Sequence, residues 1–328
     1  MNMKRITAVI LAFLLVLTVP LPGCSQPEKP DGKTLSVVCT IFPQYDWVRQ
    51  ILGDKADNFD LTLLLDSGID LHNYQPTVDD IVKLADCDLL IYVGGESDDW
   101  VEYALEQATN KDMIVINLLD VLGSAAKEEE VKVGMEDGGE DGEEGYGDET
   151  EYDEHVWLSL KNAEVFCSAI ANALSSLDAA NAEEYQKNLT EYVAKLSALD
   201  AEYKTAVNAA PVTTLLFGDR FPFRYLVDDY GLDYYAVFVG CSAETEASFE
   251  TVLFHSNKVD ELGLNSVMVI EGSDQSIART IINNTASKDQ QIFVLNSLQS
   301  VTSNDVQSGV TYLSLMKGNL SVLLKALK

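Results

Sequence analysis

Three histidines occur in the 328 residues, His72, His155 and His255. His72 stands in Gly68-Ile69-Asp70-Leu71-His72-Asn73-Tyr74-Gln75-Pro76-Thr77, and His155 in Tyr152-Asp153-Glu154-His155-Val156-Trp157-Leu158. Two carboxylates share the same kind of setting. Asp219, in Gly218-Asp219-Arg220, follows the apolar run Thr213–Phe217, and Glu271 closes the run Val267–Ile270. Two neutral imidazoles with one or two carboxylates form an N/O ligand set suited to Zn²⁺, with Mn²⁺ admitted where carboxylates dominate. Asp219 also reads as a helix N-cap. His255 lies inside the helical pattern Val252-Leu253-Phe254-His255, where a packed imidazole needs no function. Cys39, Cys87, Cys167 and Cys241 are far apart, without a CxxC pair, so they read as buried thiols rather than as a metal site or a disulfide framework.

These residues have to be positioned by strands and helices. Short apolar runs at Leu35–Phe42, Leu61–Leu65, Leu89–Val93 and Ile114–Leu118 alternate with helical patterns at Gln44–Leu52, Pro76–Lys83 and Asp99–Ala108. Further on, strands are expected at Thr213–Gly218, Tyr234–Val239, Ser266–Glu271 and Gln291–Leu295. Helices are expected between them at Phe223–Tyr230, Phe249–Leu262 and Ser276–Thr285, with a closing helix at Thr311–Leu327. Such alternation implies βαβ units, and near-continuous apolar strands imply burial on both faces. Asn162–Leu174 is amphipathic. A pattern of period 3.6 without Gly or Pro then runs from Ala179 to Val207, about 40 Å of helix. The fold class expected is α/β: two lobes, each a mostly parallel sheet flanked by helices, joined by one long rigid helix. Ligands of such sheets bind beyond the carboxyl ends of strands, where His72, Asp219 and Glu271 all fall.

The chain carries a net charge of −31, with 22 Lys and Arg against 53 Asp and Glu. That argues against nucleic acid and against docking on anionic lipid by charge. Lys127–Glu154 alone holds 14 acids, two Lys and six Gly, and its composition offers nothing to anchor it to a core. It reads as a mobile acidic loop, either solubilising or a weak collector of divalent cations. At the start, Lys4 and Arg5 precede an apolar run from Ile6 to Val19, and Leu21-Pro22-Gly23-Cys24 follows. The run suits a signal peptide and is short for a membrane span. The division expected is a signal peptide at 1–23, a tether at 24–34, an N-terminal lobe at 35–178 that includes the acidic loop 127–154, a linking helix at 179–207 and a C-terminal lobe at 208–328.

The ending Leu21-Pro22-Gly23-Cys24 resembles a bacterial lipoprotein box, with Cys24 as the lipidated residue. Cys39-Thr40-Ile41-Phe42-Pro43, Asp70-Leu71-His72-Asn73-Tyr74-Gln75-Pro76-Thr77 and Asp153-Glu154-His155-Val156-Trp157-Leu158 together resemble the zinc/manganese ABC-transporter solute-binding lipoproteins. Gly94-Gly95-Glu96-Ser97-Asp98-Asp99-Trp100 and Tyr312–Leu320 share the likeness, which covers essentially the whole mature chain. The resemblance implies that His72 and His155 are metal ligands and that the lobes close on the cation. It implies partners as well, an ABC permease with its ATPase. It places a third ligand, His or Glu, on the first strand–helix loop of the second lobe, where this chain has Asp219 as substitute. The fourth is usually an acid late in that lobe. Here the nearest match is Asn296, a weak donor, which leaves Glu271 to serve.

The expected protein is therefore a monomeric, extracytoplasmic, lipid-anchored binder that carries Zn²⁺, with Mn²⁺ as alternative cargo, and catalyses nothing. A two-lobed binder of an organic ligand such as a siderophore would instead line its cleft with Tyr74, Trp100, Tyr146 and Phe221. A metallohydrolase is the third reading, and the chain has no HExxH pair to support it. The stiff linking helix predicts modest lobe motion, with release governed by loops.

Overall fold

The computed structural model describes residues 34–136, 151–242 and 246–328. The signal segment, Cys24, nearly all of the tether and residues 137–150 of the acidic segment, with Tyr146, lie outside the described residues. The first sheet contains β1 (Leu35–Cys39), β2 (Phe59–Leu63), β3 (Leu89–Tyr92) and β4 (Ile114–Asn117), in the order β2-β1-β3-β4. The second contains β5 (Thr214–Phe221), β6 (Asp233–Val239), β7 (Ser266–Ile270) and β8 (Gln291–Leu295), in the order β6-β5-β7-β8. Every pairing in both is parallel. Each sheet thus reverses direction next to its first strand, and such a switch point leaves a crevice at the carboxyl edge.

The helices are α1 (Phe42–Leu52), α2 (Val78–Asp86), α3 (Asp99–Glu106), α4 (Leu118–Leu122), α5 (Leu160–Leu177) and α6 (Ala182–Asn208), followed by α7 (Arg224–Tyr230), α8 (Phe249–Leu262), α9 (Ser276–Asn284), α10 (Ser303–Gln307) and α11 (Tyr312–Ala326). Local chemistry explains where bounds differ from expectation. Helix α1 starts two residues early because Pro43 is tolerated in a first turn, while Gln44 Oε1 accepts the N–H groups of Thr40 at 2.9 Å and Ile41 at 3.2 Å. Helix α2 starts after Pro76 because Thr77 and Asp80 cap each other reciprocally. Strand β5 runs on to Phe221 through a register shift between Phe217 and Arg220. Asp219 and Arg220 therefore belong to a strand end rather than to a free loop.

Helix α6 spans 27 residues and follows a separate 3-10 turn at Ala179–Asn181. It buries Tyr185, Tyr192, Leu196, Leu199, Tyr203 and Val207 along one face. That face joins a single core that includes Trp47, Trp157 and Phe166 from the first half and Phe217 and Tyr312 from the second. Trp157 Nε1 donates to Ser297 O at 2.8 Å, Tyr312 Oη donates to Trp157 O at 2.7 Å, and the Tyr312 N–H donates to Asp46 at 2.9 Å. The halves are thus joined by shared apolar packing as well as by the helix. A second core, built on Leu216, Val237, Val259, Val267 and Ile281, lies within the second half.

The acidic segment corrects its expectation. Its described arms are anchored to each other and to the second half of the chain. Glu128 pairs with Tyr152, and Glu136 with Phe238 at the edge of β6. Lys132 Nζ lies 3.9 Å over the Tyr234 ring and 2.7 Å from Asp233. Glu130 meets Arg224 and accepts from Tyr234 Oη at 3.0 Å. The two arms pair with each other, and the remaining anchoring groups, Asp233, Tyr234, Arg224 and Phe238, come from the second half of the chain.

Candidate metal centre

His72 sits in a 3-10 turn, Leu71–Asn73, capped by Asp70, whose Oδ1 accepts the His72 N–H at 3.0 Å. Leu71 is buried beneath it, and its N–H reaches Gln299 Oε1 at 3.4 Å. The ring Nδ1 lies 2.7 Å from Ser97 Oγ and 3.5 Å from Glu154 Oε2. Ser97 belongs to the turn after β3, and its N–H donates to Glu154 Oε1 at 2.8 Å. Gly95 makes this approach possible. Its φ is +84°, and a Cβ there would stand 2.4 Å from Glu154 Oε1.

His155 is fully buried. Asp153 Oδ1 accepts its N–H at 2.9 Å and faces its Nδ1 at 3.1 Å, while buried Trp157 fixes the chain two residues on. Both imidazoles thus have Nδ1 engaged by an oxygen, which leaves Nε2 as the free donor. The two Nε2 atoms meet at 3.0 Å, with ring centroids 5.0 Å apart. Ligands of a tetrahedral zinc stand roughly 3.3 Å apart given bonds of about 2.0–2.1 Å, so an ion fits between these nitrogens with little movement.

The two rings titrate in opposite directions. Burial, then the proximity of His155, pushes His72 down to about 3, despite Asp70. Burial also works against charge on His155, but the Asp153 carboxylate and its hydrogen bond, with Glu154 and Asp70, carry it above the ordinary imidazole value. Asp70 is itself held low. Burial opposes this, and the Arg220 guanidinium and His72 outweigh it.

Asp219 and Glu271 have other partners. Asp219 accepts the Arg220 N–H at 2.8 Å and the Ile270 N–H at 3.4 Å. Glu271 grips Ser297 through its N–H at 2.6 Å and its Oγ at 2.7 Å. Asn296 Oδ1 accepts the Leu298 N–H at 2.8 Å. Both acids line a polar cavity of about 450 Å³ with Asp70, Arg220 and Ser242. Arg220 crosses to the first half, with Nη2 2.7 Å from Asp70 Oδ2 and Nη1 3.2 Å from Ser242 O.

Among the described residues, the only group of three or more His, Cys, Asp or Glu whose ligand atoms lie within 4.8 Å of one another is His72, His155 and Cys241. Sequence reasoning missed Cys241, which follows β6 and becomes a neighbour only through tertiary pairing. Cys39, Cys87 and Cys167 are buried and not in disulfides, as expected. His255 is buried, with ring nitrogens 2.8 and 2.9 Å from the Thr251 and Ala236 carbonyls. Tyr74 packs on Trp100 and Phe221 stacks on Tyr234, so these rings are committed to packing.

Residues 37–326 match the family model described as zinc-uptake complex component A, periplasmic. The chain belongs to this family. It is 31% identical over 322 residues to the zinc-binding lipoprotein AdcA of Streptococcus pneumoniae, covering 98% of this chain and 60% of that relative. The chain thus spans about 60% of that relative's length. It is 28% identical to the high-affinity zinc uptake system protein ZnuA of Bacillus subtilis, covering 95% of this chain and 93% of the other. Among solved structures, the metal-dependent lipoprotein YcdH of Bacillus subtilis superposes with a TM-score of 0.70 at 26% identity, covering 90% of this chain and 100% of that one. The Zn(II)-bound ZnuA-like domain of pneumococcal AdcA gives 0.69 at 26% identity, with 90% and 100% coverage. The family is one of solute-binding proteins, not enzymes, which removes the metallohydrolase reading. The family resemblance read from the sequence is borne out.

Proposed function

We propose that this protein captures Zn²⁺ at the His72–His155 pair outside the cell and hands it to the permease of an ABC importer driven by a partner ATPase. The observation that carries the proposal is the pair itself. Two Nε2 lone pairs converge at 3.0 Å while each Nδ1 is engaged by an oxygen, an arrangement that calls for a shared proton or cation. Asp219 and Glu271 are bonded elsewhere, so the nitrogen character of the site suits Zn²⁺ better than Mn²⁺. The relatives named above for zinc support the same choice. In this reading Cys24 carries the lipid, residues 1–23 are removed, and 24–34 tether a monomeric body to the membrane. No helix among the described residues is long and apolar enough to cross a membrane.

Elemental analysis of the purified protein tests the site. The expected result is a single zinc per chain, falling to near zero in His72→Ala and in His155→Ala. Full zinc in both variants would overturn the assignment. For the anchor, Cys24→Ser is expected to move the protein from the detergent phase to the aqueous phase on phase separation, and unchanged partition would refute lipidation at Cys24.

A further inference from the structure

We propose that Cys241 supplies the third protein ligand of this cation site, so that the ion is held by two imidazoles and one thiolate. The inference rests on the reading of the His72–His155 pair above and adds to it a residue that the chain's local motifs do not mark.

Geometry is the first support. The sulfur and the two imidazole nitrogens lie within 4.8 Å of one another. A tetrahedral ion with a Zn–S bond of about 2.3 Å and a Zn–N bond of about 2.0 Å sets N and S roughly 3.6 Å apart, so closure needs about 1 Å of movement at one loop. The backbone beside Cys241 already touches the site. A Cβ on Gly240 would stand 2.9 Å from His155 Cε1 and 3.1 Å from His155 Nδ1, so the end of β6 lies directly against that ring. Arg220 fixes the remaining separation, because it binds Asp70, two residues from His72, and Ser242, the residue after Cys241.

Chemistry is the second support. Two nitrogens alone leave a tetrahedral cation short of ligands. Asp219 and Glu271 hold backbone and hydroxyl groups of their own half of the chain, as described above. Among the described cysteines, Cys241 is the one that is not fully buried. On binding, the S–H bond breaks, the proton goes to solvent and the sulfur lone pair forms the S–metal bond, with no change of oxidation state. A thiolate in the set favours Zn²⁺ and Cd²⁺ over Mn²⁺, which gives the site a selectivity that carboxylates would not confer.

Co²⁺ in place of Zn²⁺ provides the test, because a cobalt–thiolate bond absorbs by charge transfer in the near ultraviolet. The wild-type Co²⁺ protein is expected to show this band together with the visible bands of a tetrahedral ion. In Cys241→Ser the near-ultraviolet band disappears. Zn²⁺ affinity in Cys241→Ala is expected to fall by at least the roughly 10–100-fold that loss of an outer-shell partner costs. A wild-type protein that binds Co²⁺ through His72 and His155 without the charge-transfer band overturns the inference and leaves the histidine site standing. Unchanged Zn²⁺ affinity in the Cys241 variants does the same. A wild-type protein that binds neither ion overturns both. The wild-type spectrum decides even if a Cys241 variant fails to fold.

Discussion

An imidazole is a useful ligand only when its other nitrogen is held, and here Asp153 holds His155 while Ser97 and Glu154 hold His72. Asp153→Asn keeps the size of the side chain and loses the carboxylate, so Zn²⁺ affinity should fall about 10–100-fold in a chelator competition assay, with the fold retained. Gly240→Ala should act on the same ring by contact, since the added methyl would press on His155 Cε1 from 2.9 Å. Both histidines are legible in the sequence because each lies in a short motif with its own carboxylate, Asp70 or Asp153, two residues before it. Asp219 and Glu271 illustrate the opposite case. A carboxylate at a strand's carboxyl end meets unpaired backbone N–H groups as readily as a metal, and which of them it takes depends on residues such as Ser297 that only the folded chain brings near. Cys241 reaches His155 through the β5–β6 pairing, which no local spacing reports.

At the scale of elements, the turn after β3 carries a titration that strand and helix bounds do not reveal. Asp98 is buried, accepts the Val93 N–H at 2.8 Å and the Gly94 N–H at 3.2 Å, and is pushed up to about 7, mainly by burial. A carboxyl raised in the fold is protonated there before it is in the unfolded chain. Its contribution to stability is therefore complete below pH ~4, the ordinary Asp value, and is lost as pH rises through about 7. Urea denaturation at a series of pH values should show this loss, up to a few kcal/mol, and Asp98→Asn should flatten the profile over that window. Several elements were legible from apolar period and run length: β8 and α8 fall where the pattern places them, and α6 starts three residues later, at Ala182. The arms of the acidic segment were not, because such a run is anchored only by what it meets, here Arg224 for Glu130, Asp233 for Lys132, and the hydroxyls of Tyr225 and Tyr234.

At the scale of the molecule, Arg220 links the two halves above the site, so Arg220→Gln should loosen that link and speed Zn²⁺ dissociation in stopped-flow chelation, with little change in thermal stability. The broad architecture, two parallel sheets and a long helix, was readable from alternation alone. The depth of their union was not, since it depends on Trp157, Tyr203 and Tyr312 meeting in one interior. That common interior has a further consequence. Severing the chain near Asn208 would strip the oily side of each fragment, leaving Trp157 without Ser297 and Tyr312 without Asp46. Either piece produced by itself should be insoluble, whereas the two made together should reassemble into a working whole.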